Sequence, residues 1–268
     1  MNRFTEAKRI VVKVGSSTLT HPSGGINLRR VDELVKVLAD IKNSGRELIL
    51  VSSGAVAAGV GKLGLGSRPT DIPGKQACAA VGQSELMYLY DKGFGEYNHS
   101  IGQVLLTYDA IEHTDRRQNI HNTFERLLEM GVVPVVNEND TVSVDEIKIG
   151  DNDTLSAEVA VLTGADVLVI FSDIEGLYTA NPAEHPDAEL IPLVTSVTEE
   201  TMLLAGGAGS SRGTGGMKTK LTAALRAGGA GIDMAILNGS RPHLLYDLLE
   251  GRSVGTRFEL NQTPIKEG

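Results

Sequence analysis

The sequence predicts an α/β protein, a three-layer α/β/α sandwich around a mainly parallel central sheet. Three observations carry that expectation. Short apolar runs end abruptly at glycine or polar residues, they alternate with segments whose apolar residues recur at helical spacing, and the returns between them are short. Parallel neighbours need a crossover between them, and a helix supplies it.

The elements follow in order. Arg9-Ile10-Val11-Val12-Lys13-Val14 reads as a buried strand ending at Gly15. Residues 28–43 place Val31, Leu34, Val35, Leu38 and Ile41 on one helical face, and Gly45 is a suitable stop. Glu47-Leu48-Ile49-Leu50-Val51 is a second strand, so the chain opens strand–helix–strand. Residues 75–92 read as helix, 101–107 as strand, 115–130 as an amphipathic helix stopped by Gly131, and 132–136 as strand. A helix at 153–163 and a buried strand at 166–171 come next. The last elements are helices at 217–227 and 243–250, with a strand at 232–237 between them. Residues 206–213, rich in glycine and serine, read as a mobile loop, and 259–268 as a polar tail.

Composition narrows the function classes. The chain has 268 residues, 41% of them hydrophobic, enough to bury a substantial core. Its net charge of −9 repels phosphate backbones and argues against a nucleic-acid partner. The single cysteine, Cys78, excludes an internal disulfide and cysteine-rich zinc sites. The N-terminus lacks the apolar core of a signal peptide, and no apolar run is long enough to span a bilayer, so a cytoplasmic protein without a membrane segment is expected.

Several familiar motifs are missing: the P-loop, the protein-kinase signatures, the G-x-S-x-G elbow and H-E-x-x-H. Gly59-Val60-Gly61-Lys62-Leu63-Gly64 matches the dinucleotide fingerprint by letter, but it follows a helical turn at 55–58 instead of a strand, so it is read as a helix end and loop.

The chemistry is expected just past the strands, where open α/β sheets bind ligands. Lys13 lies on an apolar strand beside Gly15; it either meets an anion or is an edge lysine reaching water. Ser52-Ser53-Gly54 offers hydroxyls and free N–H groups at a helix start, suited to an anion or to simple capping. Asn137-Glu138-Asn139-Asp140 sets four polar side chains after an apolar strand, and Gly150-Asp151-Asn152-Asp153 precedes a helix. Such clusters suit a polar ligand, Mg²⁺ or turn capping. Ser172-Asp173 ends another strand. Gly213-Thr214-Gly215-Gly216 feeds a helix whose first turn carries Lys218 and Lys220, a phosphate-binding arrangement without a Walker sequence.

Taken together and in this order, the lysine-glycine strand, Ser52-Ser53-Gly54-Ala55, Asn137 to Asp140, Gly150 to Asp153 and Gly213 to Met217 resemble the amino-acid kinase family, and within it the branch that phosphorylates glutamate. The resemblance runs from about Arg9 to Thr256. It implies an ATP-dependent kinase acting on the side-chain carboxylate of L-glutamate, with Mg²⁺ as companion ion. Lys13, Asp153 and Lys220 would be catalytic, Asp153 orienting both lysines. Ser53, Asp140 and Asn152 would bind glutamate. Lys13, Ser172, Asp173, Thr214, Gly215, Gly216, Met217, Lys218, Thr219 and Lys220 would hold ATP; metal ligands stay open. The family implies one kinase domain over 1–258, with an acceptor lobe at about 1–165 and a nucleotide lobe at about 166–258. It also implies a homo-oligomer (dimer or tetramer), feedback by proline and a glutamyl-phosphate reductase as the next enzyme. Many members carry a further C-terminal domain of the type found in RNA-modifying enzymes; it is expected to be missing, since the sequence ends soon after Phe258. The alternatives are a sibling kinase acting on acetylglutamate, carbamate or uridylate, and a non-catalytic nucleotide sensor. A sensor is expected to have lost Lys13, Asp153 or Lys220, and all three are present.

Overall fold

The structure is a computed structural model that describes residues 2–21, 25–143, 152–204 and 216–260. Among the described residues, eight strands form one sheet: β1 (Arg9–Val14), β2 (Glu47–Ser52), β3 (Ile101–Leu106), β4 (Val133–Glu138), β5 (Val167–Ser172), β6 (Leu193–Val194), β7 (Asp233–Asn238) and β8 (Thr256–Phe258). Their order is β3-β4-β2-β1-β5-β7-β8-β6. All pairs are parallel except β7 with β8.

Alternation within the strands builds the layers. Ile10, Val12, Val14, Leu48, Leu50, Val169 and Phe171 bury themselves on one face of the sheet, beneath the helices Leu28–Asn43, Ile72–Gly95 and Leu244–Leu249. Val11, Ile49, Val51, Leu168 and Ile170 point the other way, beneath Thr114–Glu129, Asn152–Thr163 and Met217–Gly229. Both faces are therefore covered, which is why the central strands read as continuous apolar runs. The expected three-layer sandwich is the observed one.

Helix ends follow local chemistry. Asn27 caps Leu28–Asn43 by accepting from the Arg30 N–H at 3.2 Å. Asp71 caps Ile72–Gly95 by accepting from the Gly74 N–H at 2.7 Å. This helix is longer than the expected 75–92, because the Asp71 cap and Pro73 start it one turn earlier. The G-x-G-x-x-G stretch lies mostly inside the helix Ala55–Lys62 and serves packing. A Cβ on Gly59 would sit 1.9 Å from the Cys78 carbonyl oxygen, and one on Gly82 would sit 1.8 Å from that of Ala55. Only glycine lets these two helices touch so closely. Cys78 is buried in the same contact as a small core residue.

The topology decides where a ligand can sit. From β1 the chain moves outward through β2 toward β4 and β3, then returns to β5 on the other side of β1. β1 and β5 thus flank a switch point, paired Lys13 to Ile170 and Val14 to Phe171. Leu260 packs over Gly228, where a Cβ would meet it at 2.8 Å. The 206–213 stretch lies outside the described residues.

Candidate active site

Lys13 is one residue from the end of β1, flanked by β2 and β5, and buried. The edge-strand alternative for it is therefore excluded: its ammonium has an internal partner. Lys13 Nζ donates to Asp153 Oδ1 at 2.6 Å. Asp153 Oδ2 accepts from Lys220 Nζ at 3.0 Å and from the Thr219 hydroxyl at 2.8 Å. Asp153 is fully buried in the first turn of Asn152–Thr163, and Lys220 is buried in the first turn of Met217–Gly229. Burial opposes ionisation of the Asp153 carboxyl, yet the attraction of Lys13 and Lys220 outweighs it and holds the group well below the usual carboxylate range. Two ammonium groups against one carboxylate leave an excess of positive charge in a poorly solvated place. That is a seat for an anion.

A second polar cluster adjoins the first. Asn152, next in sequence to Asp153, is almost wholly buried. Its Nδ2 donates to the Ser52 carbonyl at 2.8 Å, to the Asn137 Oδ1 at 2.9 Å and to the Ser53 hydroxyl at 3.0 Å. Two protons serve three acceptors, so the amide has no donor left for a ligand carboxylate. Asn152 Oδ1, by contrast, is buried without a partner among the described residues. A buried acceptor left bare costs about 1–3 kcal/mol. The sequence allowed Asn152 both to donate and to accept; the structure leaves it the accepting role.

Asn137 and Glu138 belong to β4 and do not follow it as expected, because their backbones pair with Leu105 and Leu106 of β3. Glu138 accepts a short hydrogen bond from Ser143. Asp140 is buried, and its carboxyl is pushed up to about 7 by burial and by repulsion from Glu138, with Arg68 opposing. Ser53 is buried at the turn ahead of Ala55–Lys62, where Gly54 takes φ +95 and turns the chain into the helix.

The remaining predicted residues spread out from this centre. Ser172 ends β5 and its hydroxyl donates to Asp173 at 3.2 Å; Asp173 is exposed. Gly216 is the N-cap of Met217–Gly229, Met217 is half-buried and Lys218 faces solvent. Of the two first-turn lysines, only Lys220 joins Asp153. Thr214 and Gly215, with Gly150 and Asp151, lie outside the described residues. Sequence reasoning missed Gln83 and Tyr90. Gln83 accepts from Asn137 Nδ2 at 2.8 Å, and the Tyr90 hydroxyl meets that of Ser52 at 2.9 Å. They lie seven residues apart on one face of Ile72–Gly95, a spacing that reads as ordinary helical burial.

Residues 8–238 match the amino acid kinase family, and this span holds both polar clusters. The chain belongs to the amino acid kinase family. Among curated relatives, this family member is 52% identical over 257 residues to a glutamate 5-kinase of Clostridium perfringens, covering 94% of this chain and 96% of the relative. It is 54% identical over 253 residues to a glutamate 5-kinase of Clostridium tetani, covering 94% and 95%. Solved structures share the fold at much lower identity. An isopentenyl phosphate kinase of T. acidophilum aligns with TM-score 0.63 and 19% identity over 93% of this chain and 99% of that one. A UMP kinase from Bacillus anthracis aligns with TM-score 0.64 and 15% identity over 96% and 97%. A carbamate kinase from Giardia lamblia aligns with TM-score 0.66 and 14% identity over 96% and 100%. Among the described residues, no helix is long and apolar enough to cross a membrane.

Proposed function

We propose that this kinase transfers the γ-phosphoryl group of ATP to the side-chain carboxylate of L-glutamate, giving L-glutamyl 5-phosphate, the first step of proline biosynthesis. The observation that carries the reading is the adjacency of Asn152 and Asp153 at one helix start. Asn152 faces the acceptor cluster of Ser53 and Asn137, while Asp153 faces the cationic cluster of Lys13 and Lys220. The high identity to glutamate 5-kinases across nearly the whole chain supports the same acceptor.

The chemistry asks little covalent work of the protein. A glutamate carboxylate is already a nucleophile, so no strong general base is needed. Phosphoryl transfer depends on in-line positioning and on positive charge where the equatorial and leaving oxygens gain negative charge. Lys13 on β1 and Lys220 on the facing helix supply that charge, and Asp153 holds their ammonium groups. Asn152 Oδ1 accepts from the glutamate ammonium, beside Ser53 and an ionised Asp140. Ser172, Asp173 and Gly216 to Lys220, with Thr214 and Gly215, hold ATP. Bound together with ATP, Mg²⁺ would supply further positive charge to the phosphate oxygens, beside that of Lys13 and Lys220. Asp153 is engaged by Lys13, Lys220 and Thr219, so it acts as a lysine clamp and not as a metal ligand.

The sheet order supports a division of labour. β3, β4, β2 and β1 come from the first half of the chain, and β5, β7, β8 and β6 from the second. The acceptor lobe spans about 1–165 and the nucleotide lobe about 166–258. A cytoplasmic homo-oligomer with proline feedback completes the proposal. The test is ATP consumption with L-glutamate in hydroxylamine, which traps an acyl phosphate as γ-glutamyl hydroxamate. Hydroxamate formed with glutamate and not with N-acetylglutamate, carbamate or UMP upholds the reading. ATP binding without glutamate-dependent turnover overturns it.

A further inference from the structure

Gln83 belongs to neither cluster predicted from sequence, yet it ends a chain of hydrogen bonds that leads to Asn152. Two fixed backbone groups set the direction of that chain. The Glu138 N–H, which can only donate, points at the Asn137 side-chain oxygen at 2.9 Å. The Asn137 amide nitrogen must then face Gln83, whose Oε1 accepts from it at 2.8 Å. At the other end, the Ser52 carbonyl, which can only accept, takes a proton from the Asn152 nitrogen at 2.8 Å. Asn137 Oδ1 accepts from the same nitrogen at 2.9 Å. The amide orientations are therefore dictated by donor and acceptor types along the whole path. The path terminates in Asn152 Oδ1, a buried oxygen with no partner among the described residues. A bare buried acceptor of this kind fits a ligand donor.

The helix that carries Gln83 is pinned. At Gly82 it lies against the Ala55 carbonyl, at a distance where a Cβ would overlap. One face of the same helix brings Gln83 to Asn137 and Tyr90 to Ser52. Gln83 thus has little freedom to leave Asn137.

We propose that Gln83 is a positioning residue that, through Asn137, keeps the Asn152 oxygen presented to the acceptor and so selects acceptors bearing a free α-ammonium group. The proposal rests on the glutamate reading above and deepens it. Without the Gln83 oxygen, the Asn137 nitrogen loses its acceptor; the Glu138 N–H still sets which way the amide faces, but the side chain is held at one end only and loosens. The Asn137 oxygen then holds the Asn152 nitrogen less firmly, so Asn152 keeps its polarity through the Ser52 carbonyl but presents its oxygen less precisely. A misplaced Asn152 oxygen accepts less well from an α-ammonium group, while a carboxylate-only ligand, which does not use that oxygen, is affected little.

The experiment compares the KM of glutamate with the inhibition constant of glutarate, which has both carboxylates and no amine. It uses the full chain and the variants Gln83→Leu and Gln83→Glu. Glutamate turnover by the unaltered protein is measured first, so failure of the functional reading is seen separately. For Gln83→Leu, the glutamate KM is expected to rise about tenfold, while kcat and the glutarate constant each move less than about threefold. Gln83→Glu keeps an acceptor for Asn137 and is expected to restore the glutamate KM to within about threefold of the original. Should Gln83→Leu not fold, Gln83→Met, with the length of glutamine and no hydrogen-bonding oxygen, takes its place. An equal rise for glutamate and glutarate, no rise at all, or a Glu variant as impaired as the Leu variant each overturns the proposal.

Discussion

Lys13 and Asp153 stand 140 positions apart in the chain and meet at 2.6 Å, tying the end of β1 to the first turn of Asn152–Thr163. The second Asp153 oxygen reaches Lys220 at 3.0 Å. One carboxylate therefore joins both sides of the switch point, with its charge fully compensated inside the protein.

Removing that carboxylate is expected to cost stability as well as rate. Asp153→Asn leaves two buried ammonium groups without their anion, a change worth about 3–5 kcal/mol. The folded carboxyl titrates below its unfolded value. Its contribution is present above the ordinary carboxylate range and is lost as pH falls toward the depressed folded value. Thermal melts should show a wide gap between Asp153→Asn and the unaltered protein at pH 7, and a narrower one as pH drops below about 4. A gap independent of pH would contradict the clamp.

Asp140 has the opposite sign. Its carboxyl is raised to about 7 by burial and by Glu138, so the folded state binds a proton that the unfolded state has released. Between the ordinary carboxylate value and 7, this group makes the ligand-free protein less stable as pH rises. Ionised Asp140 is the form that attracts an ammonium, so the glutamate KM should fall between pH 6 and 8. Asp140→Asn should flatten that dependence. A KM profile that is the same in both proteins would remove Asp140 from the acceptor site.

Asn152→Ala should weaken glutamate more than ATP. Loss of its oxygen and of its three anchoring contacts should cost about 1–3 kcal/mol of acceptor binding, seen mainly in KM. Steady-state kinetics with each substrate varied in turn will read it. A defect confined to kcat would place Asn152 among the transition-state contacts instead.

Gly82→Ala tests the helix contact beneath the site. A Cβ there would sit 1.8 Å from the Ala55 carbonyl, so the helices must part. Overpacking of this kind costs about 1–3 kcal/mol or more. The same displacement should move Gln83 away from Asn137, so a lowered melting point should come with a raised glutamate KM. Wild-type stability in this variant would show that the helices can separate without loss.

The sheet was readable because its strands are buried on both faces and therefore stand out as apolar runs between helices. The lysine and carboxylate positions were readable for a related reason: Lys13 interrupts such a run, and a charge placed there needs a partner. The partner itself was assigned through family resemblance, since spacing alone cannot join residues so far apart in the chain. Gln83 and Tyr90 stayed hidden because their partners come from β4 and β2, and nothing on their own helix differs from routine amphipathic spacing. The polarity of Asn152 was equally hidden, because it depends on two backbone groups, Ser52 C=O and Glu138 N–H, whose directions only the fold defines.

The lysine clamp is tested most directly by a double-mutant cycle on Lys13→Ala and Asp153→Ala, read as the single-turnover rate of phosphoryl transfer to glutamate. Each single change should slow transfer by roughly 10²-fold or more, the scale set by loss of one preorganised charge stabiliser. Asp153 acts through the lysines, so the double variant should be little slower than the worse single one, a strongly non-additive result. Losses that multiply would contradict the account, because Asp153 would then act on the reaction independently of Lys13.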